Sequence, residues 1–287
     1  MNDAAAVLVA ADRAVRLAAK PTDDHLLLRL RLALHLPRLV HTDLDKDEII
    51  LAEAHRLLEG IRTDQAGLNW RDRATPTALT SLRLVPIPDE TAYAIHERFH
   101  YIGSRRQGLH LGLVPPDWTA GQPPAVLFTV SPLDLPHLNP LLSTSKHPLT
   151  TQVLSRSFSF RWVPKNAFSY AYGKLSRFLA GDLDLLFSYV NPNMGFSGAS
   201  YLAAGWRDLA QEHSPSYLYL DRDYCTRRQL AELFGSWDPA RLDASAQGRI
   251  TRSKSRLGPL RLLASALTHE ARQWLKSQEP VRVPHLS

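Results

Sequence analysis

Cysteine is nearly missing from this chain, with one, Cys225, among 287 residues. A single thiol builds neither an internal disulfide framework nor a thiolate zinc cage, and it suits a reducing compartment, so the expected location is cytoplasmic. Cys225 precedes Thr226 with no base beside it in sequence and reads as an idle thiol. No run of about 18 uncharged apolar residues exists, which argues against a membrane span and a membrane partner. The opening MNDAAAVLVAADRAVRLAAK carries Asp3 and Asp12 and no basic start ahead of an apolar run, so it does not read as a secretory signal. There is no P-loop, no GxSxG elbow, no HExxH and no CxxC pair, and the glycines after residue 194 do not match GxGxxG. What is present is ample apolar material: 44% of residues are hydrophobic and 22% charged, enough for one large domain or two smaller ones.

The net charge of +6 is unevenly placed. Residues 1–80 carry 11 basic and 12 acidic side chains, whereas residues 81–287 carry 23 and 16. Between 241 and 282 there are 9 basic and 3 acidic residues, an excess equal to that of the whole chain. Such an asymmetric surface attracts polyanions or serves as a solubilising face.

Residues 4–19 have a helical pattern broken by Pro21. Thr22 is expected to cap a second helix running to Leu36, with Asp23 and Asp24 in its first turn and Pro37 as its stop. Asp47–Leu58 reads as a third helix closed by Gly60. These elements form an expected helical extension, 1–75, ending near Pro76. Residues 76–287 then form the main domain, with the basic segment at its end. In it, Ser81–Ile87, Leu109–Val114, Ala125–Val130, Thr151–Val163, Asp184–Val190 and Ser216–Asp221 read as strands. Helices are expected from Pro88 to Phe99, Asn166 to Leu179, Ser197 to Ala204, and from a Thr226 cap to Gly235. The fold class is therefore α/β (α+β), a mixed sheet flanked by helices.

Three clusters carry candidate chemistry. His100–Tyr101 precedes Gly103, Ser104, Arg105 and Arg106; a His beside a Tyr offers a base, an acid or a metal-ligand pair, while the same residues also suit a helix C-terminus with a left-handed cap. Ser155–Arg156 lies on a strand pattern that runs through Pro164, Lys165 and Asn166 into a helix carrying Ser169. The amides at such a helix start bind anions, and Asn166 equally suits a plain cap. The third cluster runs from Ser188 through Asn191, Asn193, Gly195, Phe196, Gly198, Ser200 and Tyr201 to Trp206. There a strand ends in a polar loop, a favoured ligand position, and Tyr201 is a positioned weak acid.

At these residues the sequence resembles the Mom DNA-modification proteins of bacteriophages, which have the GNAT-like (Gcn5-related acyltransferase) fold. The resemblance covers roughly 81–237. It rests on His100–Ser104, on Ser155–Arg156 followed by Pro164–Ala167 and Ser169, and on the block from Ser188 to Trp206. It implies a mostly antiparallel sheet splayed between its fourth and fifth strands, with donor and acceptor meeting in the notch. The implied activity is transfer of a small acyl or glycyl-type group to a nucleobase amine of DNA. Carried over residue by residue, it implies His100 and Tyr101 as an iron-linked pair, Arg156 and Ser169 from the second block, and Asn191 and Tyr201 from the third. Asn191 stands where the phage proteins have aspartate, and an amide is neither a base nor a good hard-metal ligand. The GNAT acetyl-CoA signature Arg/Gln-x-x-Gly-x-Gly/Ala is missing at 163–170, so an acyl-tRNA donor joins an acyl-CoA-like one. The alternative activity is then aminoacyl or acyl transfer from charged tRNA to a small-molecule amine.

The expected roles follow. Tyr201 supplies the leaving-group proton, Arg156 holds a phosphate or carboxylate, Ser169 and Asn191 position the substrate, and His100, with Tyr101, is base or metal ligand. Lys165, Asn166, Ser104, Asn193 and Ser200 bind substrate or donor. Arg105, Arg106, Arg249, Arg252, Lys254, Arg256 and Arg261 contact nucleic-acid phosphates, DNA or tRNA. Phe196 and Trp206 are candidates for stacking on a base, with core packing as the other reading.

Overall fold

The structure is a computed structural model and describes residues 3–68, 70, 78–133, 138–212, 214–278 and 281–283. Two compact units emerge. One gathers Met1–Ala66, Pro192–Gly195 and Ser214–Pro259; the other gathers Gly67–Asn191, Phe196–His213 and Leu260–Ser287. The division differs from a helical extension at 1–75 followed by one domain, because residues 214–259 group with the first helices. The expected boundary at Pro76 lies outside the described residues.

The first unit starts with α1 (Ala4–Ala18), α2 (His25–His35), α3 (His41–Leu44) and α4 (Asp47–Gln65). Helix α1 buries Val7, Ala10, Ala11, Ala14 and Val15, a stripe at helical spacing. The cap of α2 is Asp24, whose side chain accepts the Leu27 N–H at 3.0 Å; Thr22 lies two residues too early. Gly60 does not close α4, which continues to Gln65, since the buried stripe Ile50, Ala54, Leu57, Leu58 and Ile61 spans the glycine. Buried in this unit, Glu53 meets Arg38 at 2.6 Å, Arg56 at 2.7 Å and His35 at 3.3 Å. Burial alone raises its carboxyl; the bonds from His35 and Arg56 and the Arg38 charge overturn that and hold it well below the usual carboxylate range.

The second unit contains β1 (Arg83–Pro86), α5 (Asp89–Arg98), β2 (Leu109–Val114), β3 (Val126–Pro132), α6 (Asn139–Leu142), β4 (Thr151–Ser159), α7 (Ala167–Leu179), β5 (Leu185–Val190), α8 (Ala199–Ala203) and β6 (Arg207–Glu212). The chain then returns to the first unit with β7 (Leu218–Leu220), β8 (Asp223–Cys225), α9 (Arg227–Phe234), α10 (Pro239–Ser245) and β9 (Ile250–Arg252). It closes the second unit with β10 (Arg261–Ala266), α11 (His269–Ser277) and β11 (Val281–Val283). The expected strand at 216–221 thus belongs to a separate three-stranded sheet, β8-β7-β9. Helix α9 has the expected Thr226 cap, in a reciprocal capping box with Gln229, and ends at left-handed Gly235.

The large sheet runs β1-β2-β3-β4-β5-β10-β6-β11. All its pairs are antiparallel except β4–β5 and β6–β11. The mixed, mostly antiparallel sheet flanked by helices matches the expected fold class. Neighbouring residues of β3 face opposite sides. Phe128 stacks on Tyr172 of α7 at 5.0 Å, and Thr129 bonds His96 of α5. The two helices therefore cover opposite faces. On β2, a Cβ on Gly112 would lie 2.6 Å from Ile87 and 2.7 Å from Pro124, so only glycine admits that close packing.

The β4–β5 pair is short. It runs only from Thr151↔Leu185 to Val153↔Phe187. Beyond it β4 stays with β3 as far as Ser159, and β5 stays with β10 as far as Val190. The sheet is splayed there, between its fourth and fifth strands. The expected continuation of β4 to Val163 fails because the chain turns at Phe160, whose N–H goes to Ala125 O at 3.3 Å.

Candidate functional site

The splay opens between Leu154–Ser159 of β4 and Ser188–Val190 of β5. Its two sides are joined by hydroxyls. The Ser188 hydroxyl lies 3.2 Å from Leu154 O and 3.0 Å from the Tyr201 oxygen. Ser157 Oγ lies 3.3 Å from the same phenol oxygen. Tyr201 therefore spans the notch from α8, the helix entered through Gly195 and Gly198 at positive φ. Its ring stacks on Tyr172 at 4.6 Å and meets Trp206 edge-on at 5.0 Å. Burial of Tyr172 first, then its neighbour Tyr201, pushes its phenol well above the ordinary range, with Ser157 opposing.

Arg156 sits on the β3 partner side of β4, opposite Thr129. Its guanidinium donates to Ser104 Oγ at 3.4 Å and to Ser155 O at 2.9 Å. Its charge is felt by both His96 and Tyr101. Tyr101 stacks on His100 at 4.4 Å and leans on Phe196 at 5.6 Å. Burial pushes the Tyr101 phenol up to about 12, with Arg156 opposing and Tyr201 adding. Thus Ser104, Tyr101, Arg156 and Tyr201, far apart in sequence, are brought to one region of the second unit. His100 is buried, and its Nδ1 accepts the Ile102 N–H at 3.2 Å, so that nitrogen is closed to base or ligand duty.

Behind Arg156 lies a polar chain that the sequence reading did not single out. The Arg106 N–H donates to His96 Nδ1 at 3.3 Å, which assigns the His96 proton to Nε2. Nε2 then donates to Thr129 Oγ1 at 3.0 Å, and the Thr129 hydroxyl turns to His110 Nδ1 at 2.9 Å. His110 Nε2 faces the Asp89 carboxylate at 3.7 Å. Burial, then the Arg156 charge and His110, push His96 down to about 3, so it is a neutral imidazole. His96 was findable: it stands on α5, the recognised helix that leads into His100. Ser157 lies two residues beyond Ser155 on β4, and Tyr172 three beyond Ser169 on α7, both on recognised elements.

Other expected site residues lie elsewhere or are already engaged. Ser169 Oγ donates to Ser200 O at 3.4 Å, linking α7 to α8. Lys165 and Asn166 are exposed at the start of α7, where Asn166 takes a left-handed conformation (φ 68°) and makes no side-chain cap bond. Asn191 is half-buried just past the end of β5. Asn193 belongs to the first unit and is a clamp: its amide donates to Gly258 O at 2.9 Å and accepts the Gly258 N–H at 2.6 Å. That double bond to backbone corrects its expected substrate role. Trp206 is buried and Phe196 exposed, which separates the two stacking candidates.

The expected basic stripe is divided. Arg249, Arg252, Lys254 and Arg256 lie in the first unit and Arg261 in the second. Arg249 grips Asp221 through two bonds at 3.1 and 2.8 Å, and Arg261 grips Asp208 while donating to Ser197 O. Arg105 pairs with Glu97 at 2.7 Å, and the Arg106 side chain donates to Ser131 Oγ at 3.1 Å. These four side chains are occupied within the fold. Arg252, Lys254 and Arg256 are exposed and form no ion pair with a described residue.

The residues do not suit the iron that the resemblance implies. His100 has one ring nitrogen bonded to its own loop, Asn191 is a neutral amide, and among the described residues no group of three His, Cys, Asp or Glu side chains converges. No helix among the described residues is long and apolar enough to cross a membrane.

Comparison with known proteins adds little. No family model matches the chain, and no curated protein matches it. Among solved structures it is similar to the crystal structure of a "putative acetyltransferase" from Sphaerobacter thermophilus DSM 20745, at 10% identity and a TM-score of 0.32, over 64% of this chain and 93% of that one. An overlap that slight identifies neither fold nor activity, and the geometry of the sheet stands by itself.

Proposed function

We propose that the protein is a GNAT-like group transferase that works in the notch between β4 and β5, with a nucleobase amine of DNA as acceptor. The observation that carries this reading is the Tyr201 hydroxyl, set between Ser157 and Ser188 where the sheet parts. The amine attacks the activated carbon of a small acyl or glycyl-type donor, forming the new C–N bond. As the bond to the leaving group breaks, Tyr201 O–H delivers its proton to that group, and the proton that the attacking amine sheds restores the Tyr201 phenol. Arg156, held between Ser104 and the Ser155 carbonyl, neutralises a phosphate or carboxylate on donor or acceptor. Ser169 and Ser200 at the start of α8, and Asn191 past the end of β5, orient the substrate, and Lys165 and Asn166 at the start of α7 receive an anionic part of the donor. The donor is acyl-CoA-like or acyl-tRNA. Arg252, Lys254 and Arg256 supply phosphate contacts to nucleic acid.

The test is mass spectrometry of digested nucleosides from the DNA of cells expressing the protein or its Tyr201→Phe variant. A new adenine-derived mass, absent with the variant, is expected. Unchanged DNA beside folded, expressed protein overturns the DNA acceptor. Release of labelled amino acid from charged tRNA then decides for the other donor–acceptor pair, a tRNA-borne acyl group and a small amine.

A further inference from the structure

We infer that His96 of α5 is a positioning residue for Arg156, acting through the loop that carries Ser104. The inference deepens the reading of Arg156 as the holder of a phosphate or carboxylate and rests on it for its functional meaning.

The loop between α5 and β2 contains no helix or strand of its own. It is fastened from the elements around it. From α5, His96 Nδ1 accepts the Arg106 N–H at 3.3 Å. From β3, Ser131 Oγ accepts the Arg106 Nε–H at 3.1 Å and donates to Gln107 O at 2.6 Å. At the end of the loop, Gly108 (φ 150°) runs so close to β3 that a Cβ there would lie 2.2 Å from Val130 O. From β4 comes Arg156, which donates to Ser104 Oγ at 3.4 Å. Ser104 stands two residues before Arg106. The place where Arg156 finds its acceptor is therefore set by the place where His96 holds Arg106.

His96 suits this duty because its ring is fixed at both nitrogens. A backbone N–H only donates, so Nδ1 is the acceptor and Nε2 carries the proton, which goes to Thr129 Oγ1 at 3.0 Å. The Thr129 proton in turn goes to His110 Nδ1 at 2.9 Å. The His96 side chain is fully buried, so these bonds do not compete with water. Thr129 is also the residue that pairs with Arg156 across β3 and β4. The threonine that fixes the ring thus stands beside the arginine that the ring serves. Neutrality belongs to the same arrangement. A proton on Nδ1 would meet the Arg106 N–H head-on and set a second cation near Arg156. Burial first, then the Arg156 charge, keeps that proton off at neutral pH.

Two substitutions separate positioning from packing. Asparagine places its amide oxygen where Nδ1 stood and still accepts the Arg106 N–H. Glutamine reaches the place of Nε2 and serves Thr129 instead. The measurement is the NMR signal of the Arg156 Nε–H, identified by its loss in Arg156→Lys. His96→Asn is expected to leave that signal in place, and His96→Gln to move it. When the signal is followed through a titration with inorganic phosphate, His96→Gln is expected to weaken binding by about tenfold and His96→Asn by less than about twofold. In the parent, the imidazole 15N spectrum at pH 7.5 is expected to show Nε2 protonated and Nδ1 bare. A proton on the His96 Nδ1 overturns the inference, as does an Arg156 signal that responds alike to both substitutions. A parent that binds no phosphate counts against Arg156 as anion holder alone, because the signal and the tautomer are both read without ligand.

Discussion

In the first unit the buried polar groups are ions: Glu53 lies among Arg38, Arg56 and His35, and Arg56 reaches on to Asp223 at 2.7 Å. In the notch of the second unit they are hydroxyls, those of Ser157, Ser188 and Tyr201. An ion cluster has one good arrangement and resists change. A hydroxyl cluster has several, because each O–H rotates to suit its neighbours. The first fits a scaffold, and the second fits a place where a proton must leave and return.

That contrast can be broken by single substitutions. The largest effect expected is on chemistry: Tyr201→Phe should cut transfer by about 10²–10⁴-fold while thermal unfolding stays near the parent's, the range for losing a positioned proton donor. Full activity in this variant would remove the distinction between the units. Glu53→Ala should do the reverse, destabilising the fold by about 3–5 kcal/mol in urea unfolding, because two guanidinium groups lose their buried partner. A change below about 1 kcal/mol would mean that solvent already screens the cluster.

Acid sharpens the comparison further. His96 is neutral when folded, pushed down to about 3 from an ordinary 6.5, so the unfolded chain takes up a proton that the folded one refuses. Stability from this residue is complete above about pH 6.5 and is lost as pH falls toward 3, amounting to about 2 kcal/mol by pH 5. Urea unfolding at pH 7.5 and pH 5 should show the loss, and His96→Asn should reduce it; an unchanged slope would place the loss in other groups. The smallest effect concerns salt. Removing Arg252 or Lys254 should lower the salt slope of DNA binding by about 0.9 each, whereas Arg249→Ala, already paired with Asp221, should leave it unchanged.

Local signals were the readable ones. Thr226 and Gly235 announce α9, and the alternation at 109–114 announces β2, since each rests on neighbours in sequence. Ser104, Arg156 and Tyr201 were singled out by the order of their motifs and do converge on one region. The Ser157–Ser188–Tyr172 arrangement was hidden because it depends on β4 and β5 lying side by side for three residues and then parting, which no local pattern encodes. Asn193 misled because a polar loop looks alike whether it faces a ligand or, as here, clamps the Gly258 backbone. Arg249 and Arg261 were not legible as paired because their partners, Asp221 and Asp208, come from other parts of the chain.

The strand order has a consequence for synthesis on the ribosome. Strand β10 lies between β5 and β6, although some seventy residues of chain separate it from β5. Until residues 261–266 emerge, β5 has only its three-residue pairing with β4, and β6 lacks its antiparallel neighbour. The nascent protein therefore carries two open strand edges until those residues are made, the condition under which chains mispair and chaperones are recruited.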